Sequence, residues 1–334
     1  MAERDSDKPG RDLSGSLMVM VTYACQARCS YCLVSRGPRA MSARTMERAV
    51  DLLLTSPARE PQLRFFGGEP LLRFDLVRRA MEYGDARARP SGRRLRYMLT
   101  TNGMLLDEAK LRWLARRNAE VMFSLDGSPA AHEACRRDAR GRTRHDALLR
   151  SLSALRRSRV PYFANAVLTP ERLEDARGDI AFLAGRGVRR VQICYQVGVP
   201  WGAARRRDLC ALLRGLIAEP PRGRQGPIEI MNAHNDCEPV MLSEEVLADT
   251  DGALFLDAAV FLERRFPRLR GAMGLGRLGE AERMADLVLS RSQVLERFAR
   301  TCPPGTPEGA LFADNLRVGM DLRKLLRGLR EGGC

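Results

Sequence analysis

Between Leu17 and Cys194 the chain alternates short β-prone apolar runs with longer stretches whose apolar positions recur at helical spacing. The runs predict strands at Leu17–Tyr23, Leu63–Phe66, Arg96–Thr100, Glu120–Ser124, Tyr162–Val167 and Arg190–Tyr195. The stretches between them predict helices near Ser42–Thr55, Phe74–Arg87, Asp107–Arg117, Thr143–Ser158 and Glu171–Arg186. Ser42 and Asp107 suit N-caps, since a short side-chain oxygen can accept an unpaired first-turn N–H. Strand after helix after strand argues a parallel sheet of right-handed βαβ units, either open or curved into a barrel.

After Trp201 the alternation stops. A helical stretch, Ala204–Ala218, runs into a Pro/Gly/Arg-rich break at Glu219–Pro227, and helical patterns return near Glu280–Arg300 and Asp314–Arg330. The expected organisation is a disordered tail over 1–16, an α/β domain over 17–200 and a smaller, mainly helical region over 201–334.

A chain of 334 residues, 45% apolar and 29% charged, is long enough to bury the core of one large domain with an appendage. No apolar run approaches the roughly 20 residues of a membrane span, and Met1–Asp12 lacks the apolar centre of a signal peptide. The expectation is a soluble cytoplasmic protein with no membrane partner. The net charge of +15 is almost all arginine, because Lys8, Lys110 and Lys324 are the only lysines. The arginines are spread through every predicted helix, without a basic tail or an aromatic-interleaved stripe, so nucleic acid is not expected as a partner. An acidic partner remains open.

Of nine cysteines, Cys25, Cys29 and Cys32 fall within eight residues directly after the first strand, and the others are scattered. In a long chain without a secretion signal, such crowding reads as metal binding rather than as a disulfide framework. Three thiolates can hold three corners of a cubane cluster and leave its fourth iron open. The alternative is zinc, which wants four ligands; His132, His145 and His234 all lie away from this loop.

The run Cys25-Gln-Ala-Arg-Cys29-Ser-Tyr-Cys32 resembles the C-x3-C-x-aromatic-C signature of the radical S-adenosylmethionine (SAM) superfamily, with Tyr31 at the aromatic place. Gly67-Gly68-Glu69-Pro70 follows the second strand, Thr101-Asn102-Gly103 the third and Ser124-Leu125-Asp126-Gly127 the fourth. His132-Glu133-Ala134-Cys135-Arg136 matches the H-[DE]-x-x-R segment of the SPASM-related branch, and Asn165 ends the fifth strand.

The resemblance implies a partial (β/α)6 TIM barrel with ligands at the C-terminal rim of its strands. It implies one 4Fe–4S cluster on Cys25, Cys29 and Cys32, with SAM bound at the open iron. SAM is then cleaved reductively, and the 5′-deoxyadenosyl radical takes a hydrogen atom from the substrate. The backbone of Gly67, Gly68 and Glu69 would meet the SAM ammonium, with Pro70 stiffening the turn. Ser124 and Asp126 would suit ribose or methionine groups, and Arg136 the SAM carboxylate, with Arg137 next in line. Asn102 suits either a ligand contact or a turn.

The C-terminal region resembles a degenerate SPASM-type domain. Cys237 is followed after fourteen residues by Gly252, and Asp257 stands where the second cysteine of the pattern belongs. The later cysteine block is missing, so no auxiliary cluster is expected; Cys302 and Cys334 are isolated. Trp201, His234, Asn235 and Asp236 are candidates to face the substrate.

The leading functional reading is an oxidoreductase- or lyase-type radical enzyme acting on a peptide or protein side chain. Its electrons would come from a flavodoxin or ferredoxin-like donor. Radical modification of a small metabolite is the alternative, and a non-catalytic scaffold or nucleic-acid-binding protein the third reading.

Overall fold

The computed structural model describes residues 13–235 and 238–331. The first half carries β1 (Ser16–Thr22), β2 (Ala27–Cys29), α1 (Ala43–Leu53), β3 (Gln62–Gly67), α2 (Phe74–Ala88), β4 (Arg96–Thr101), α3 (Glu108–Leu114) and β5 (Ala119–Ser124). Then come α4 (Pro129–Cys135), β6 (Arg136–Asp138), α5 (His145–Arg157), β7 (Tyr162–Leu168), α6 (Ala176–Gly185), β8 (Arg190–Tyr195) and α7 (Gly202–Ala218). The remainder holds β9 (Arg222–Gly223), β10 (Gly226–Pro227), β11 (Glu229–Ile230), β12 (Val246–Ala248), β13 (Ala253–Leu256), α8 (Ala258–Phe261), α9 (Leu269–Ala272), β14 (Gly274–Arg277), α10 (Arg291–Thr301) and α11 (Pro307–Glu331).

The six expected strands pair in parallel in the order β8-β7-β5-β4-β3-β1, the helix-covered sheet of a partial barrel. Alternation along the strands decides the two faces. Leu17, Val19, Val21, Phe65, Leu99, Val121, Ala164 and Val191 point outward into one continuous core beneath the helices. On α1, Met46, Ala49, Val50 and Leu53 lie on one face and are buried against that core. Its N-terminus is fixed because Ser42 accepts the Thr45 N–H at 3.0 Å; Asp107 likewise accepts the Lys110 N–H at 2.8 Å ahead of α3.

The inner face is apolar at the β1 side, where Met18, Met20 and Leu247 pack with Val260, Phe66 and Phe261. Toward β8 it carries Ser124, Asn165, Gln192 and Cys194, all half-buried.

The C-terminal region is helical in α7, α10 and α11, but of the helix expected over Glu280–Arg300 only the part from Arg291 forms, because Ser290 caps α10 there, and the region also extends the sheet at both edges. β11 adds in parallel to β8; β12 adds in parallel to β1 and is followed by antiparallel β13 and β14. A second core around Phe266, Phe298 and Phe312 holds this region, with Cys302 as one of its small buried side chains. Part of the expected tail is ordered: Leu13–Gly15 form a 3-10 turn with Ser14 buried, and residues 1–12 lie outside the described residues.

Candidate active site

The three cysteines follow β1 in a loop that turns back through β2. Cys25, Cys29 and Cys32 are all half-buried, and they stand close enough that Cys29 and Cys32 disfavour a thiolate at Cys25 and Cys32 disfavours one at Cys29. Burial pushes the Cys25 thiol up to about 11 and raises Cys29 as well. Such a trio ionises only where a cation compensates, as iron ligation does. Among the described residues no three His, Cys, Asp or Glu side chains converge as one metal ion would require. Thiolates that each take a separate iron of a cubane stand farther apart than ligands sharing one ion, so this donor set fits a cluster better than zinc.

Asn102 ties the loop to the end of β4. Its amide approaches Cys25 Sγ at 3.6 Å, while its Oδ1 accepts from Gln26 at 3.2 Å and from the Met104 N–H at 3.0 Å. The turn reading of Asn102 is seen in its bond to the Met104 N–H, and its amide lies beside the sulfur of Cys25.

Gly67 and Gly68 meet the cysteine loop backbone to backbone. A Cβ on Gly68 would lie 2.3 Å from the Ala24 carbonyl oxygen, and one on Gly67, at φ +143°, would lie 2.4 Å from that of Thr22. The glycines are therefore required by the loop against which they pack, independently of any ligand. The N–H groups of Gly68 and Glu69 are already donated to Thr22 and Ala24. What this segment can still present is carbonyl oxygen, the acceptor an ammonium group needs.

The Glu69 side chain turns inward, fully buried. Its carboxylate accepts from Thr101 Oγ1 at 2.8 Å, the Asn102 N–H at 2.8 Å and the Leu71 N–H at 3.0 Å, and burial pushes its pKa up to about 7. It is a positioning residue joining the β3 and β4 loops, with Pro70 opening the 3-10 turn that follows.

Asp126 and Arg136 depart from the roles the resemblance implies. The Asp126 carboxylate accepts from Arg136 Nε at 2.8 Å and Nη2 at 3.2 Å, from the Tyr31 hydroxyl at 2.7 Å and from the Val167 N–H at 3.0 Å. Four donors saturate a buried carboxylate. Arg136 belongs to β6, which pairs with β2 so that Arg136 stands opposite Cys29. Its guanidinium also lies 5.3 Å over the Tyr31 ring. A charge this buried needs a counter-ion, and Asp126 is the one present. The pair thus braces the cysteine loop instead of reaching for ribose or a SAM carboxylate. Arg137 points outward, its Nε donating to the Glu133 carbonyl, which removes the one-residue ambiguity.

Ser124 and Asn165 sit side by side in register on the inner face, at the C-terminal ends of β5 and β7. The Asn165 Oδ1 accepts from the Cys194 thiol at 3.2 Å, and Gln192 accepts from Asn235 at 2.7 Å. Gln192 and Cys194 are site-lining residues that the sequence reading missed. Their signal was available, since polar Gln192 and Cys194 alternate with apolar Val191, Ile193 and Tyr195.

Trp201 does not face the substrate. It is buried against Tyr195 with its indole N–H donated to the Gln196 carbonyl, while its backbone N–H is held by Asp314. His234 is exposed to solvent. Asp236 and Cys237 lie outside the described residues, as does Cys334. Asp257 is buried beside Glu245 and Ser243, on the side of the sheet where Arg64 pairs with Glu245.

The parallel βα array carries a three-cysteine loop and glycine-bearing turns at the C-terminal rim of its strands, the arrangement of the radical SAM superfamily. Residues 19–184, about half of the chain, match the Radical SAM superfamily model, and the chain belongs to that superfamily. It is 32% identical over 182 residues to GTP 3′,8-cyclase of Streptomyces coelicolor, covering 52% of this chain and 50% of that protein. It is 28% identical over 197 residues to the serine-type anaerobic sulfatase-maturating enzyme of Klebsiella aerogenes, covering 57% and 48%. The chain thus spans about half the length of these curated relatives. Among solved structures it superposes on native anSMEcpe with bound AdoMet and Cp18Cys peptide at a TM-score of 0.73 and 16% identity. That match covers 95% of this chain and 99% of the other, so the shared fold includes the C-terminal region. Members of this superfamily bind AdoMet and a 4Fe–4S cluster. Among the described residues no helix is long and apolar enough to cross a membrane.

Proposed function

We propose that this enzyme modifies a side chain of a peptide or protein by radical chemistry begun at the Cys25–Cys29–Cys32 loop. The observation that carries the reading is the extent of the likeness. The fold shared with the peptide-bound anSMEcpe structure covers 95% of this chain, including the region that closes the barrel, while the sequence matches to the cyclase and to the sulfatase-maturating enzyme each cover a little over half of it. Substrate class follows the region that closes the barrel more than the barrel itself.

A 4Fe–4S cluster with SAM, held at this loop, would supply one-electron reductive cleavage and so a radical able to abstract hydrogen. The chain's own residues do the holding. Cys25, Cys29 and Cys32 ligate, and Asn102 donates toward the Cys25 sulfur. The carbonyls of the Gly67–Pro70 segment accept the SAM ammonium, and Ser124 and Asn165 line the inner rim where ribose or substrate would lie. A flavodoxin or ferredoxin-like protein would deliver the electron. The C-terminal region would be a degenerate SPASM-like domain that closes the barrel without clusters of its own.

Anaerobic incubation with SAM, reductant and a panel of peptides tests this. A mass change on one peptide, with 5′-deoxyadenosine formed in step, supports it. Turnover confined to nucleotides or other small metabolites would favour the alternative.

A further inference from the structure

Between α7 and α11, on the outer wall beside the β8–β11 edge of the sheet, runs a groove of about 510 Å³. Four cations line it, Arg206, Arg207, Arg214 and Lys324, against one carboxylate, Asp321. Arg206 is committed, bonding Asp314 at 2.9 Å and Asp321 at 3.0 Å. Arg207, Arg214 and Lys324 are exposed, and no carboxylate among the described residues pairs with them. The floor between them is apolar, formed by Leu325, Leu329 and the half-buried Cys210.

We propose that this groove docks an acidic, leucine-bearing segment of the peptide substrate, away from the residue that is modified. The inference rests on the peptide reading above and adds the means of recognition. Three lines of chemistry select the occupant. Unpaired cations on both walls call for carboxylates, whose attraction also speeds encounter. The apolar floor calls for aliphatic side chains on the same segment, the pattern of an amphipathic helix lying in a groove. No aromatic side chain lines the groove, so it offers no stacking platform for the bases of a single-stranded nucleic acid.

The test uses the full chain with its cluster reconstituted. The probe is a fluorescein-labelled dodecapeptide with Leu at helical i, i+3, i+4 spacing and Glu elsewhere, read by anisotropy at low salt. Binding should weaken at least tenfold in the Arg207→Glu/Arg214→Glu/Lys324→Glu protein, and in a peptide with every Glu replaced by Gln. A second variant keeps all charges: Gly328→Trp, at a helical position whose added Cβ meets nothing within 4 Å, should fill the groove and also weaken binding. Reversing three exposed arginines elsewhere, Arg48, Arg59 and Arg94, should change affinity less than threefold. Equal losses from the two charge-reversed proteins would reduce the effect to overall charge and overturn the proposal. So would tighter binding of a twelve-nucleotide RNA or of pyrophosphate at this groove, or unchanged binding by the Gly328→Trp protein. Binding is read without SAM cleavage, so a failure here leaves the peptide chemistry standing. Absence of peptide turnover would in turn leave the measured binding standing.

Discussion

Arg136 grips Asp126 through two near-parallel bonds, Nε to Oδ2 at 2.8 Å and Nη2 to Oδ1 at 3.2 Å, and both side chains are almost fully buried. Tyr31 of the cysteine loop completes the unit by donating its hydroxyl to the same carboxylate. The consequence is mechanical: the cysteine loop is clamped to the end of β5.

Breaking that clamp from one side leaves a buried charge uncompensated. Arg136→Met should cost about 3–5 kcal/mol in chemical denaturation and lower the iron retained per chain after anaerobic reconstitution. Arg137→Ala, whose side chain faces outward, should stay within about 0.5 kcal/mol of wild type. Equal stability of the two variants would remove the bracing role from Arg136.

The same pair shows where sequence reading runs out. The six parallel strands were legible because each is a short apolar run bounded by turn residues, and their limits in the structure differ by a residue or so. Arg136 was legible as important but not in its role, because its partner is set by β6 folding back on β2, a pairing of three residues with no periodic signal. β12 was missed for a similar reason. Val246–Ala248 is a three-residue apolar run that becomes a strand only because the edge of β1 is there to receive it.

Gly68 makes a steric prediction. Gly68→Ala places a methyl 2.3 Å from the Ala24 carbonyl oxygen, a backbone atom that cannot move without displacing Cys25. The variant should lose most of its cluster on reconstitution, read by iron content and visible absorption. Gly178→Ala, inside α6 with open space at its Cβ, should be neutral or stabilising by up to about 1 kcal/mol.

Asn102→Asp keeps the oxygen that caps Met104 but removes the N–H directed at Cys25 Sγ. An N–H to a ligand sulfur favours the reduced cluster, which carries more negative charge, so its loss should lower the reduction potential. An electron-resonance-monitored redox titration reads the shift. An unchanged or higher potential would mean that the 3.6 Å approach carries no interaction.

Asp257 predicts a pH signature. Burial and the neighbouring Glu245 hold its carboxyl above the ordinary Asp range, and its Oδ1 has no hydrogen-bond donor. The folded state therefore binds this proton more tightly than the unfolded chain, so stability falls as pH rises from the usual carboxylate range toward the raised value. Asp257→Asn removes that dependence. It should match wild type near pH 4 and melt at a higher temperature than wild type at pH 8. A gap that shrinks with rising pH would contradict the assignment.

The most direct measurement is 5′-deoxyadenosine formed from SAM under reducing, oxygen-free conditions by reconstituted protein. Three thiolates are the minimum for a cluster with one open iron, so Cys25→Ala, Cys29→Ala and Cys32→Ala should each abolish the product. Cys302→Ala, which alters only a buried residue of the second core, should leave cleavage largely intact. Wild-type protein should hold about four irons per chain, the content of a single cubane. Wild type that carries its cluster yet never yields 5′-deoxyadenosine, even with substrate peptides present, would contradict the account. So would a Cys29→Ala protein that cleaves SAM as wild type does.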